Sequence, residues 1–401
     1  MKYRFMDYKA CGEKPAYKEI QQLETQFGLP LYLYDTHQMI ANAEEIKGHL
    51  GDHVRLCYCA KANYDLAEAA AQAVDLIEVS TAGELRYCLA HGIAAERLVY
   101  SGVWKPDADL AFACQAGVGR IILDSLQQLK GLQKAAQNPV EVLLRLSSGD
   151  QFGMNVEEIK EGMKSAKRYG HVRITGIQYY AGTQRSYPGQ VRRDIGKLRE
   201  QLQSLKAEKI LFEELQIGGG IGVPLFVSDR VEEFEEAADC MFAFVKELSA
   251  GCRVVYECGR GMAANAGLYL TQVFARKQRA GGELLLVRGG SHHLNYYGNI
   301  CGQRQPFMES VTRKGGGGLR RYKVCGSLCS AGDILAREYT DCCIKTGDYL
   351  LFYNAGAYSL QEAASLFLTM EMPRILLYNK DREKWELREW EWKEHEYTNT
   401  R

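Results

Sequence analysis

A lysine, a run of glycines and a glutamate–arginine pair carry the most specific chemistry in this sequence. Lys61 follows the strand-like run VRLCYCA, within CYCAKAN. A lysine amine held at the end of a strand can form an imine with an aldehyde. Gly218, Gly219 and Gly220 close the run ELQIGGG. Successive glycine N–H groups let a phosphate approach the backbone. Glu257 ends RVVYE, with Arg260 three residues on. A carboxylate there suits a protonated ring nitrogen, while Arg260 and the Thr183 hydroxyl suit the same phosphate as the glycines. Each feature alone has a plainer reading: a solvated lysine, a tight turn, a local ion pair. GGGIG is not GxGxxG, because Val223 occupies the last position, so dinucleotide binding gains little.

The elements that must position these groups are legible between residues 55 and 260. Eight short runs read as strands: VRLCYCA, DLIEVS, RLVYSG, RIILD, VEVLLRL, RITGIQYY, ELQIGGG and RVVYE. Between them lie stretches such as LAEAAAQA and SLQQLKGLQKAAQ, with apolar residues at helical spacing. Alternating β and α predicts a parallel sheet. Eight units in roughly 200 residues predict an α/β fold, a (β/α)8 TIM barrel over 36–265, with an open doubly wound sheet as the alternative. Functional groups in such a barrel sit at the C-terminal strand ends. Those ends are Lys61, Glu78-Val79-Ser80, Ser101-Gly102, Asp124, Arg145 within the fifth strand, Tyr180 through Thr183, the three glycines, and Glu257 with Arg260. Together they predict a site for an aldehyde that carries a phosphate and a pyridine nitrogen. Pyridoxal phosphate fits that description, bound to Lys61 as a Schiff base.

Past residue 265 the texture changes to GLYLTQVFARKQ, GELLLVRGG, RRYKVCGSLC and DYLLFYNAGAY, which predict a mostly antiparallel β domain. The segment RKGGGGLRR (313–321) reads as a hairpin tip or loop. LPLYLYD near the N-terminus is a strand compatible with either domain. Lys+Arg and Asp+Glu are both 50 in 401 residues, which argues against a nucleic-acid partner held by a basic surface. No apolar run approaches a membrane span, and the N-terminus has no signal-like apolar core. Thirteen scattered cysteines suit a reducing cytoplasm better than a disulfide framework. Cys57 and Cys59 read as a strand-face repeat. His292 and His293, being adjacent, are expected on opposite sides, so no metal site is predicted.

In order along the chain, CYCAKAN, IEVSTAGEL, LVYSG, LRLSSGDQFGM, GIQYYAGTQ, LQIGGGIGVP, ECGRGMAANAG, CGSLCSAGDILA and NAGAY resemble the motifs of fold-type III pyridoxal-phosphate decarboxylases, the diaminopimelate and ornithine decarboxylase family. The resemblance covers about residues 30 to 370. It implies that Lys61 binds the cofactor and that Gly218, Gly219, Gly220, Thr183, Arg260 and Tyr358 hold its phosphate. It further implies that Glu257 faces the pyridine nitrogen and that Cys329 protonates the carbon left after carbon dioxide departs. It implies a head-to-tail homodimer in which the Cys329 loop completes the partner's site. The barrel would be joined by a β domain of residues 1–35 and 266–401, which takes in LPLYLYD.

The departures bear on substrate. Tyr180 stands where the family has a ring-stacking histidine, and a tyrosine stacks without carrying positive charge. Ser330 stands where enzymes for basic amino acids have an acid, so a simple basic amino acid is disfavoured. RGGSHHLNYY lacks the diaminopimelate-type arginine. Arg145, Cys329 and Ser330 are the expected substrate contacts. The pattern is similar to the biosynthetic branch that acts on a glutamyl group tethered to an acyl-carrier protein. The expected function is decarboxylation of an amino acid or an amino-acid-derived substrate, free or carrier-tethered. The alternatives are a racemase or epimerase, which needs two opposed bases, and a non-catalytic cofactor-binding homologue.

Overall fold

The computed structural model describes residues 1–10, 14–165, 170–280, 282–313, 317–379 and 384–388. Eight parallel strands close a barrel: β2 (Val54–Cys59), β3 (Leu76–Val79), β4 (Leu98–Tyr100), β5 (Arg120–Leu123), β6 (Val140–Leu146), β7 (Val172–Tyr180), β8 (Glu214–Gly218) and β9 (Arg253–Cys258). β9 pairs with β2, which closes the ring, so the open-sheet alternative falls. The crossovers are helical, for example Ala82–Ala90, Pro188–Ala207 and Val231–Ser249. Strands β3, β5 and β8 are buried at every position, because each lies between a filled interior and an outer helix layer.

Cys57, Leu76, Val99, Ile122, Leu143 and Val255 form one buried cluster from six of these strands, and they plug the barrel. Side chains on a strand repeat every second residue. The residues two positions further along are Cys59, Glu78, Ser101, Asp124, Arg145 and Glu257. One pleat above an all-apolar plug, the interior turns polar on all six strands except for a single thiol. On the side of the N-terminal strand ends, the buried Arg120 Nε meets Glu214 Oε1 at 2.7 Å.

The second sheet has nine strands: β1 (Leu31–Asp35), β10 (Gly267–Arg279), β11 (Gly282–Val287), β12 (Met308–Val311), β13 (Arg320–Cys325), β14 (Ile334–Asp341), β15 (Tyr349–Phe352), β16 (Arg374–Asn379) and β17 (Lys384–Leu387). Its pairs are antiparallel except β1–β16 and β11–β13. LPLYLYD belongs here, with β1 between β10 and β16. Residues 314–316 of the expected glycine loop lie outside the described residues. Among the described residues no helix is long and apolar enough to cross a membrane.

One expectation fails. The rings of His292 and His293 do not point apart; their centroids are 3.8 Å from each other. Opposite sides hold for an extended strand, and Ser291–His293 is a turn. His293 Nε2 lies 2.8 Å from the Glu371 carbonyl oxygen, and its Nδ1 lies 3.4 Å from the hydroxyl of the buried Tyr269.

Candidate active site

One cavity at the C-terminal barrel mouth is lined by Lys61, Tyr180, Thr183, Gly218, Gly220, Glu257, Arg260 and Tyr358, with Cys59, Ile221, Cys258 and Gly259 between them. Register explains the grouping. Tyr180 lies beside Gly218, and Gly218 beside Glu257, on three adjacent strands. Side chains on the flanking strands fill the space a Cβ at Gly218 would need: it would fall 2.6 Å from Tyr180 Cδ2 and 2.8 Å from Glu257 Oε2. Gly220 has φ +61°, and a side chain there would collide with the Gly182 carbonyl. Gly219 is not part of the cavity lining; a Cβ there would point to Met241 and Tyr256.

Lys61 sits in a 3-10 turn directly after β2. Its Nζ lies 2.9 Å from Glu78 Oε2 and 6.0 Å from the centroid of the Tyr180 ring. Glu78 is buried and also accepts from the Ser80 hydroxyl at 3.0 Å and from the Ser101 hydroxyl. Burial acts to raise the Glu78 pKa, but Lys61 and the two hydroxyls outweigh it and hold the carboxylate below its ordinary value. Burial acts to lower the Lys61 pKa, and the charge of Glu78 leads the groups that carry it well above the ordinary lysine value. The strand end itself is fixed by the next helix: Glu84 N–H donates to Thr81 Oγ1 at 3.1 Å, while the Glu84 carboxylate accepts from Ser80 N–H at 2.6 Å.

Glu257 is held from two neighbouring strands. Gln216 Nε2 donates to it at 2.6 Å and Gln178 Nε2 at 3.2 Å. Burial, followed by the charge of Glu78, pushes its pKa up. A carboxyl in that state is stabilised as the anion by a cationic ring nitrogen placed against it.

The β domain supplies the cover. Tyr358 N–H donates to the Ala62 carbonyl at 2.7 Å, and Asn63 Nδ2 donates to the Gly356 carbonyl at 2.9 Å. These bonds bring the NAGAY segment onto the lysine turn. Tyr358 takes φ +65°, a costly conformation for a non-glycine residue and a frequent one at functional sites. Arg260 lies 4.6 Å from the Tyr358 ring centroid and 5.2 Å from that of Tyr297. It is buried, burial pulls its pKa below the ordinary arginine value, and its Nε has no hydrogen-bond partner. Among the described residues no carboxylate is hydrogen-bonded to that Nε, and a buried cation is stabilised by an anion brought beside it. Arg260 lines the cavity beside the glycine backbone, which is the arrangement that takes a phosphate.

The residues therefore fit pyridoxal phosphate: a lysine amine with a carboxylate proton partner, a carboxyl for the ring nitrogen, an aromatic face, and a buried cation beside glycines. Three expected substrate contacts lie elsewhere in this chain. Arg145 is outside the cavity lining, with Nη1 3.3 Å from Asp124 and its guanidinium 5.8 Å from the Tyr180 ring centroid. Cys329 and Ser330 are exposed on the loop between β13 and β14. Gln178, Gln216 and the direct role of Glu78 on Lys61 were not anticipated. Their signal was present, since each is a polar residue two positions from a site residue or from the plug, inside an apolar strand.

Comparison with known proteins agrees with this geometry. The family described as pyridoxal-dependent decarboxylase, pyridoxal binding domain, matches residues 36–264. The chain is 26% identical over 389 residues to the L-glutamyl-[BtrI acyl-carrier protein] decarboxylase of Niallia circulans, covering 90% of this chain and 91% of that one. It is 25% identical over 392 residues to the diaminopimelate decarboxylase of Aquifex aeolicus, covering 90% and 89%. The fold superposes on the Helicobacter pylori diaminopimelate decarboxylase complexed with L-lysine with a TM-score of 0.79, at 20% identity, covering 92% and 95%. The chain belongs to the pyridoxal-dependent decarboxylase family, and is a carboxy-lyase with pyridoxal phosphate as its cofactor.

Proposed function

We propose that this enzyme removes carbon dioxide from an amino-acid-derived substrate that lacks a distal ammonium, and that the substrate is carried on an acyl-carrier protein. The observation that carries the decarboxylase site is the single cavity joining Lys61, Glu257 and the buried Arg260, whose Nε has no hydrogen-bond partner among the described residues. Support for the substrate comes from Ser330, which offers no negative charge, and from the relative that acts on a carrier-bound glutamyl group.

In this reading Lys61 would hold the cofactor through its amine. Gly218, Gly219, Gly220, Thr183, Arg260 and Tyr358 would hold the phosphate, which would give the Arg260 Nε an acceptor. Tyr180 covers one face of the ring. Glu257, steadied by Gln178 and Gln216, keeps the ring nitrogen protonated. When bound, pyridoxal phosphate supplies an electron sink for the pair left by the departing carboxylate. Glu78 receives or returns the proton of the Lys61 amine. Cys329 of a second copy, in a head-to-tail homodimer, delivers a proton to the carbon that has lost carbon dioxide. Arg145, Cys329 and Ser330 line the substrate's path, and the setting is the cytoplasm.

A screen of free amino acids against carrier-tethered ones, with carbon dioxide release as the readout, tests the proposal. Release from a carrier-tethered acidic amino acid is expected. Release from free lysine or ornithine alone would overturn the substrate reading. Retention of the carboxylate with loss of chirality would point to the racemase reading instead.

A further inference from the structure

We infer that Asp333 is a positioning residue that sets the reach of Cys329, an inference that rests on the reading of Cys329 as the proton donor. Cys329 sits on the loop that leaves β13 and returns in β14, and it is exposed. An exposed loop of small residues has little of its own to hold it. Asp333, at the loop's return, is 2% exposed. Its Oδ2 accepts from Leu328 N–H at 2.9 Å, next to Cys329, and its Oδ1 accepts from Ser291 N–H at 2.7 Å, in a separate segment. One carboxylate thus ties the cysteine loop to the turn after β11.

The backbone closes the same knot. Gly326 N–H donates to the Asp333 carbonyl at 3.0 Å, Asp333 N–H to the Ser330 carbonyl at 3.2 Å, and Ser327 N–H to the Gly289 carbonyl at 2.7 Å. Two glycines make room for the carboxylate. A Cβ on Gly290 would lie 2.5 Å from both Asp333 oxygens, and one on Gly326 would collide with Oδ2. Bonds from a carboxylate to backbone N–H groups are among the stronger hydrogen bonds in proteins. One oxygen holds the cysteine loop and the other holds the turn after β11, so both are engaged by backbone N–H groups. The exposed Cys329 tip is therefore presented from a fixed base.

The test uses the full-length protein and Asp333→Asn, which keeps the volume but leaves only one acceptor oxygen. Gly326→Ala is the second variant, and Cys329→Ala the reference. In cofactor-free protein, amide exchange across 326–333 and at Ser291 is expected to rise at least tenfold in both positioning variants. In the loaded enzyme, with L-glutamate tethered to an acyl-carrier protein as the first substrate and the best substrate of the screen otherwise, the product ratio is read. Protonation at the substrate carbon gives the amine. A proton delivered instead to the cofactor carbon, followed by hydrolysis, gives an aldehyde and leaves the amino group on the cofactor. Asp333→Asn should raise the aldehyde share several-fold toward that of Cys329→Ala, with cofactor binding unchanged. If Cys329→Ala shifts the ratio and Asp333→Asn shifts neither ratio nor exchange, the inference fails. An unchanged ratio in Cys329→Ala overturns the proton-donor reading, and this inference with it.

Discussion

The barrel mouth and the Cys329 loop solve opposite problems. At the mouth, Lys61, Glu257 and Arg260 line one cavity, with Glu78 buried against the Lys61 amine, and low solvent access makes each charge dependent on its neighbours. On the loop, Cys329 and Ser330 face solvent, and only the base at Asp333 is buried. The contrast separates cofactor chemistry, assembled within one chain, from substrate and proton delivery, which the proposal assigns to a second copy. The departures from the family's pattern fall on both sides of this contrast: Ser330 lies on the loop and Tyr180 lines the mouth, while Lys61, Glu257 and the glycines keep their types.

The largest effect that sharpens this comparison is Lys61→Ala. Turnover and the visible absorbance of lysine-bound cofactor should both vanish, and survival of either in spectrophotometry would remove the mouth from the chemistry. Glu257→Gln comes next, with kcat reduced about 100-fold or more and the cofactor still bound, in line with the loss of one preorganised electrostatic contact. Steady-state kinetics beside a cofactor titration separates the two quantities.

Glu78→Gln should act with two signs. Its charge is the leading cause of the raised Lys61 pKa, so its removal leaves more of the lysine neutral at a given pH. Stopped-flow loading of cofactor should start at lower pH than in the wild type, while turnover falls roughly tenfold for want of the proton partner. Loading that moves to higher pH would contradict the ion pair.

The smallest effect concerns Lys105, buried after β4 with its ammonium on the Gly102 carbonyl and 5.5 Å from the Tyr100 ring centroid. Burial lowers its pKa to about 7. Between that value and the ordinary lysine range the unfolded chain holds the proton and the folded chain does not, so stability rises with pH across that window. The slope from this group is at most about 1.4 kcal/mol per pH unit, and urea unfolding of Lys105→Met should show it flattened.

Much of this was legible in the sequence because strands buried on both faces write themselves as short apolar runs. All eight barrel strands were read that way, and their ends located Lys61, Tyr180, the glycines and Glu257. The polar tier at Glu78, Ser101 and Asp124 lies two residues beyond Leu76, Val99 and Ile122, and a period of two makes that spacing visible once the plug is known. Gln178 and Gln216 escaped because they sit inside strands rather than at their ends. The β domain was harder. Strands β12, β14 and β16 are short or polar on one side, and the β1–β10 and β1–β16 pairings span more than 200 residues, so no local pattern encodes them. The histidine pair was misread because alternation was applied to a turn.

The most direct test of the contrast mixes two variants that are each defective in forming the amine product, with amine formation above that of either variant alone as the activity read. Lys61→Ala lacks the mouth's amine and Cys329→Ala lacks the loop's thiol. If the loop of one chain serves the mouth of the other, random reassociation leaves about one quarter of all sites intact, and activity should return toward that fraction. If each chain uses its own Cys329, no site in the mixture is intact and no activity returns, which would contradict the shared-site account.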